Sequence, residues 1–160
     1  MSRPTVLFYC QHSLGLGHLV RSFALAGALA ERFRVVLLNG GRLPRGLAVP
    51  PGVEVESLPP LGMEVDGTLV SRDGRRTAQR ALDLRRERML ELHAALRADV
   101  VFVELFPFGR KKFAPELVPL LEAARAAGTM TVCSLRDILV GSRRDQARHD
   151  ERASVMAESL

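Results

Sequence analysis

Val6-Leu7-Phe8-Tyr9-Cys10, followed by Gly15-Leu16-Gly17-His18-Leu19-Val20-Arg21, is the stretch on which the fold turns. Its first five residues form a continuous apolar run, the pattern of a strand buried on both faces. The glycines interrupt that run, and from His18 to Glu31 an Ala/Leu-rich segment has the composition of a helix. A strand, a glycine loop and a helix start expose backbone N–H groups where a bound group can approach closely, which suits a phosphate or an oxyanion. His18 falls in the first helical turn, where an imidazole can take a proton from a hydroxyl near neutral pH.

Outward from this unit, short β-like runs alternate with longer helical ones. Strands are expected at Val6 to Cys10, Val35 to Leu38, Val53 to Leu58, Val100 to Glu104 and Met130 to Ser134. Helices fit His18 to Glu31, Arg76 to Arg97, and Pro115 to Ala127 before Gly128, and Arg143 to Leu160 reads as a polar helix. The fold class that follows is α/β, a Rossmann-like open parallel sheet with right-handed crossovers, in a single domain. Two connections stand out: the turn-rich Asn39-Gly40-Gly41 to Pro50-Pro51-Gly52, and a long irregular segment from Pro59-Pro60 to Gly74. Irregular loops of the second kind serve as lids or binding loops.

A chain of 160 residues with 47% hydrophobic content can bury one good core. Lys and Arg total 23 against 18 Asp and Glu, a formal net charge of +5 that points to anionic partners such as phosphates, acidic lipid or nucleic acid. No apolar run approaches the ~18 residues of a membrane-spanning helix, and Ser2-Arg3-Pro4 leads into the first strand without a signal-peptide core. A cytoplasmic location is therefore expected. Cys10 and Cys133 end two expected strands without metal-ligand or redox spacing, and read as buried reduced thiols.

In the usual doubly wound order the first strand lies beside the fourth, and ligands bind at the carboxyl ends where the chain reverses direction. Gly15, Gly17 and His18 arrive there from the first strand, Glu104 with Phe106-Pro107-Phe108-Gly109 from the fourth, and Arg136-Asp137 from the fifth. A carboxylate facing a histidine across such a crevice can orient its imidazole and hold its charge. Plainer readings stay open for each residue. The glycines also suit a bare strand-to-helix turn, His18 a helix terminus without chemistry, Glu104 a cap or a partner for Arg110, and Phe106 and Phe108 core filling. Arg75, Arg76, Arg80, Arg85, Arg86 and Arg88 suit a solvated helix face whose surplus over Asp83 and Glu87 hints at an anionic surface partner. The dinucleotide fingerprint fails, with Val20 at the third glycine and Asn39 where an acidic residue would end the second strand. A Walker A loop, an HExxH motif and a paired-cysteine metal site are absent from the sequence.

Four motifs, in this order and spacing, carry a resemblance over nearly the whole chain. They are Gly15-Leu16-Gly17-His18-Leu19-Val20-Arg21, Leu105-Phe106-Pro107-Phe108-Gly109, Glu116-Leu117 to Glu122, and Leu135-Arg136-Asp137-Ile138-Leu139. The chain resembles the N-terminal half of bacterial predicted glycosyltransferases of the GT-B fold, related to the MurG-type N-acetylglucosaminyltransferases of family 28. That resemblance implies a two-domain, inverting, metal-independent enzyme that needs no cofactor. The N-terminal half binds a hydroxyl acceptor, and the C-terminal half, absent from this chain, binds a nucleotide-sugar donor. It further implies His18 as the base, Glu104 as a second catalytic residue, and Gly15, Gly17, Arg21, Phe108, Gly109, Arg136 and Asp137 as substrate-binding residues. The isolated chain is expected to be inactive, to contact the membrane peripherally, and to bind no specific nucleic acid. The glycine–histidine pattern is also similar to that of nucleotide-sugar hydrolases of the pseudaminic acid pathway, where the histidine would activate water, and a non-catalytic anion-binding module is the third alternative. Two departures matter: Glu104 stands where many relatives carry aspartate, and Arg110-Lys111-Lys112-Phe113 replaces a more glycine-rich, acidic continuation. The added charge favours a phosphorylated or lipid-linked acceptor.

Overall fold

The computed structural model describes residues 3–12, 16–135 and 146–159. Five parallel strands form the sheet: β1 (Thr5–Cys10), β2 (Arg34–Asn39), β3 (Val53–Ser57), β6 (Val100–Glu104) and β7 (Met130–Ser134), in the order β3-β2-β1-β6-β7. Helix α1 (Gly17–Ala30) covers one face, and α2 (Ala78–Leu96) with α3 (Ala114–Ala126) covers the other. The period-2 alternation of a strand sorts β1 accordingly. Val6, Phe8 and Cys10 pack with Leu19, Phe23 and Ala26 of α1, while Leu7 and Tyr9 pack with Ala81, Met89, Leu117 and Leu120 of α2 and α3. Every residue of β1 is buried, as its unbroken apolar run requires.

The five expected strands and the first three expected helices occur within one or two residues of the boundaries read from the sequence, and the expected limits of the last helix, Arg143 and Leu160, lie outside the described residues. Thr77 explains the start of α2, its Oγ1 accepting from the Arg80 N–H at 3.2 Å. Gly128, at φ +71°, follows the end of α3. The polar C-terminal helix is α4 (Gln146–Ser159), which sets Ala153 and Met156 against the rest of the chain. None of the helices among the described residues is long and apolar enough to cross a membrane.

Two expectations need correction. The segment from Pro59 to Gly74 is not irregular: β4 (Leu61–Met63) and β5 (Leu69–Ser71) form an antiparallel hairpin. Leu61 is buried and Leu69 packs on the same core, so the hairpin is held by its apolar ends. Its turn is fixed by Asp66, which accepts from the Thr68 N–H at 2.8 Å, and by Gly67 at φ +83°.

The second correction concerns α2. Its arginines do not all belong to a solvated face, because Arg85 is fully buried. It donates from Nε and Nη2 to the two oxygens of Glu116 at 2.7 and 2.8 Å, from Nη2 to Gln11 at 2.7 Å, and from Nη1 to the carbonyls of Gly40 and Pro59 at 2.8 and 3.1 Å. The Tyr9 hydroxyl completes the network by donating to Glu116 at 2.6 Å. Burial, reinforced by the charge of Glu116, holds the Tyr9 phenol well above its ordinary pKa. Burial alone would lower the pKa of Arg85, but the attraction of Glu116 outweighs it and the guanidinium is more firmly charged than a free one. Removing one partner of such a pair strands the other charge. Arg85→Ala is therefore expected to cost about 3–5 kcal/mol in urea unfolding, and a loss under about 1 kcal/mol would contradict this account.

Candidate functional site

Because β1 pairs with β2 on one side and with β6 on the other, the chain leaves β1 at the point where strand order reverses. Helix α1 begins there with Leu16 at its N-cap, without a side-chain cap and without an acidic residue in its first turn. Among the described residues no side chain caps the N–H groups of that turn. Gly17 is exposed, and a Cβ added to it would meet nothing within 4 Å among the described residues.

His18, one residue further on, reaches across to the end of β6. Its Nδ1 lies 3.1 Å from both carboxylate oxygens of Glu104. The Glu104 side chain is 1% exposed and that of His18 24% exposed. A carboxylate can only accept, so the proton of the neutral ring is assigned to Nδ1, leaving the lone pair on Nε2. Among the described residues nothing hydrogen-bonds Nε2. Arg21 lies three residues along α1, on the same face as His18. It donates from Nη1 to Glu104 at 3.1 Å, and from Nη2 to Ser134 Oγ at 2.8 Å and to the Leu135 carbonyl at 3.1 Å. Glu104 is thus gripped between an imidazole and a guanidinium, and Arg21 ties α1 to both β6 and β7.

The structure brings His18, Arg21 and Glu104 together, and Glu104 pairs with Arg21 and His18 rather than with Arg110. Phe108 and Gly109 sit in the turn that follows β6, with Phe108 half-buried, whereas Phe106 is buried in the core. Gly15, Arg136 and Asp137 lie outside the described residues.

Sequence reading missed Ser134, which anchors Arg21, and the buried pair His12 and Asn39 just beyond β1 and at the end of β2. His12 Nε2 donates to Asn39 Oδ1 at 3.1 Å, and Asn39 Nδ2 donates to the Gly41 carbonyl at 2.6 Å. Two adjacent glycines were the available signal. A Cβ at Gly41 would come within 2.5 Å of the His12 ring. Among the described residues no cluster of three or more His, Cys, Asp or Glu could hold a metal ion. Cys10 is buried, which pushes its thiol pKa up to about 11, while Cys133 is only half-buried.

No family model and no curated protein matches the sequence. Solved structures do share the fold. Phytolacca americana UGT2, complexed with UDP-2fluoro-glucose and pterostilbene, is 22% identical over 84% of this chain and 31% of its own, with a TM-score of 0.55. A UDP-glucosyltransferase from Polygonum tinctorium is 16% identical over 99% of this chain and 34% of its own, with a TM-score of 0.53. The C-terminal domain of a Pyrococcus furiosus hydrogenase is 15% identical over 84% of this chain and 94% of its own, with a TM-score of 0.51. The class defined by the fold is a Rossmann-like α/β domain of the kind found in GT-B glycosyltransferases, and the chain spans about a third of the length of the two it resembles here. A hydrogenase domain shares this architecture, so function has to be argued from the site.

Burial holds the pKa of His12, and of His93 on α2, below the ordinary 6.5. Both rings are therefore neutral when folded at pH values where an unfolded chain already takes up protons. Linkage then makes stability greatest above pH 6.5 and lowers it as pH falls through the depressed folded values. The urea midpoint should fall as pH drops below 6.5, with a shallower fall in His12→Gln and His93→Gln, and a flat profile in the wild type would contradict this.

Proposed function

We propose that this chain is the acceptor-binding part of a nucleotide-sugar-dependent glycosyltransferase that transfers a hexose or N-acetylhexosamine to a hydroxyl. The observation that carries the reading is the His18–Glu104 pair: a partly exposed imidazole held at Nδ1 by a buried carboxylate at the carboxyl end of β6. In the transfer step His18 Nε2 takes the acceptor's hydroxyl proton as the oxygen attacks the anomeric carbon. The bond from that carbon to the nucleoside diphosphate breaks, and the electron pair leaves with the phosphate. Glu104 fixes the tautomer and stabilises the imidazolium that forms, as the buried carboxylate of a catalytic triad does. Arg21 acts as a positioning residue, since its guanidinium is engaged by Glu104, Ser134 and Leu135.

A single displacement of this kind inverts the anomeric centre. Inversion, independence from metal and affiliation with MurG-type family 28 enzymes all rest on the glycine–histidine motif and its companions. The donor is bound by a second α/β half outside these 160 residues, Gly17, Phe108 and Gly109 serve the acceptor side, and the motif resemblance gives Gly15, Arg136 and Asp137 the same role. Likeness in fold to UDP-sugar glycosyltransferases supports the donor class.

In the polypeptide that carries both halves, His18→Ala should lower transfer by roughly 10²–10⁴-fold with folding intact, and Glu104→Gln should lower it too. Unchanged turnover in His18→Ala would contradict the assignment. Free sugar formed without any acceptor would turn the same pair into a water-activating hydrolase site.

A further inference from the structure

The two edges of the sheet differ. β3 carries Glu54 and Glu56, which pair with Arg34 and Arg88, so charged side chains guard that edge. β7 at the other edge reads Met130-Thr131-Val132-Cys133-Ser134, without a charge or a proline, and Met130 is 64% exposed. Parallel pairing with β6 uses alternate residues of β7. The Met130 N–H donates to the Asp99 carbonyl at 3.0 Å, and the Ser134 carbonyl accepts from the Leu105 N–H at 3.0 Å. The backbone groups of Thr131 and Cys133 therefore point away from the sheet, and among the described residues they have no backbone partner.

Beside these groups lies a cavity of about 210 Å³, lined by Val103, Phe106, Leu121, Thr131, Cys133 and Ala157. It is smaller than the ~300 Å³ at which pockets for drug-sized ligands begin, and its walls are mostly apolar, so it suits an apolar side chain better than a ligand. The direction of α4 fixes that of a strand carrying such a side chain. Met156 packs on the core shared by α2 and α3, Ala157 lines the cavity with Leu121, and Arg125 near the end of α3 donates to the Ser159 carbonyl at the end of α4. The two helices thus lie on one face of the sheet and finish together. α3 leads from that end into β7, and the same right-handed crossover on the same face carries polypeptide that follows α4 to the outer side of β7, parallel to it.

We propose that the outer edge of β7 seats a further parallel strand, supplied by the polypeptide that follows α4, whose backbone pairs with Thr131 and Cys133 and whose apolar side chains fill the cavity. The source rests on the transferase reading, which puts a second half outside these residues; the strand site rests on the chain alone. A second copy of the chain fits less well, because its β7 would offer the cavity only threonine and cysteine side chains.

The test adds a short peptide alternating valine with glutamate to the 160-residue chain and follows amide hydrogen exchange, with a peptide of the same composition but no alternation as control. Exchange at Thr131 and Cys133 should be fast in the free chain and slow with the alternating peptide only. Thr131→Pro, which removes one outward N–H, should weaken the peptide about tenfold, and Thr131→Val, which keeps that N–H, should bind it as the wild type does. The wild-type exchange pattern decides the matter even where Thr131→Pro does not fold. Slow exchange at both amides in the free monomer, equal effects of the two peptides, or undiminished binding by a folded Thr131→Pro would overturn the site. In the polypeptide that carries both halves the two amides should already be protected; free amides there, or a 160-residue chain that sediments as a dimer with both protected, would overturn the source. Should the peptide bind while His18→Ala keeps transfer, the transferase mechanism fails and the strand site stands; no binding, with transfer lost in His18→Ala, removes only this inference.

Discussion

The buried ion pair between Arg85 and Glu116 is the constraint on which the carboxyl edge of the sheet depends. One guanidinium joins α2 to α3 through Glu116, to the end of β1 through Gln11, and to the segments leaving β2 and β3 through the carbonyls of Gly40 and Pro59. Those carbonyls lie outside the regular sheet ladder, and that of Gly40 also accepts from the Leu61 N–H at 3.0 Å. Close approach is part of the arrangement. A Cβ at Gly40 would stand 2.1 Å from Gln11 Oε1 and 2.5 Å from Arg85 Nη2, so only glycine lets the chain pass over the pair.

The sheet edge is thereby divided. On the side of β2 and β3 the polar groups are closed off: Arg85, Tyr9 and Glu116 satisfy one another, as do His12, Asn39 and the Gly41 carbonyl. On the side of β6 and β7, His18 is partly exposed above the buried Glu104 and Arg21 bridges to Ser134. A satisfied buried network beneath partly exposed polar groups is how a scaffold holds reacting groups within tight tolerances.

Much of this was legible in the sequence, for identifiable reasons. β1 and β6 are apolar runs short enough to be strands, and doubly wound topology places them side by side, so the meeting of His18 and Glu104 followed from sheet order. The i, i+3 spacing of His18 and Arg21 carried the third member of that cluster onto the same helix face. The hairpin of β4 and β5 was hidden because three-residue strands are too short to show a period, although Asp66-Gly67 between two apolar stretches was a usable turn signal. Arg85 was hidden for a different reason. An arginine that shares its helix with Arg80, Arg86 and Arg88 looks solvated, and its burial depends on Glu116, 31 residues away, and on Gln11, 74 residues away. The His12–Asn39 contact is likewise a product of tertiary packing between neighbouring strand ends, which local pattern does not encode.

The central claim is that Glu104 holds the proton of the His18 ring on Nδ1 and leaves Nε2 as the base. Nitrogen-15 NMR of the imidazole rings, at a pH where His18 is neutral, reads this directly. The account predicts a protonated Nδ1 and an unprotonated Nε2 for His18, with the pattern lost in Glu104→Ala. A neutral His18 carrying its proton on Nε2 in the wild-type chain would contradict it.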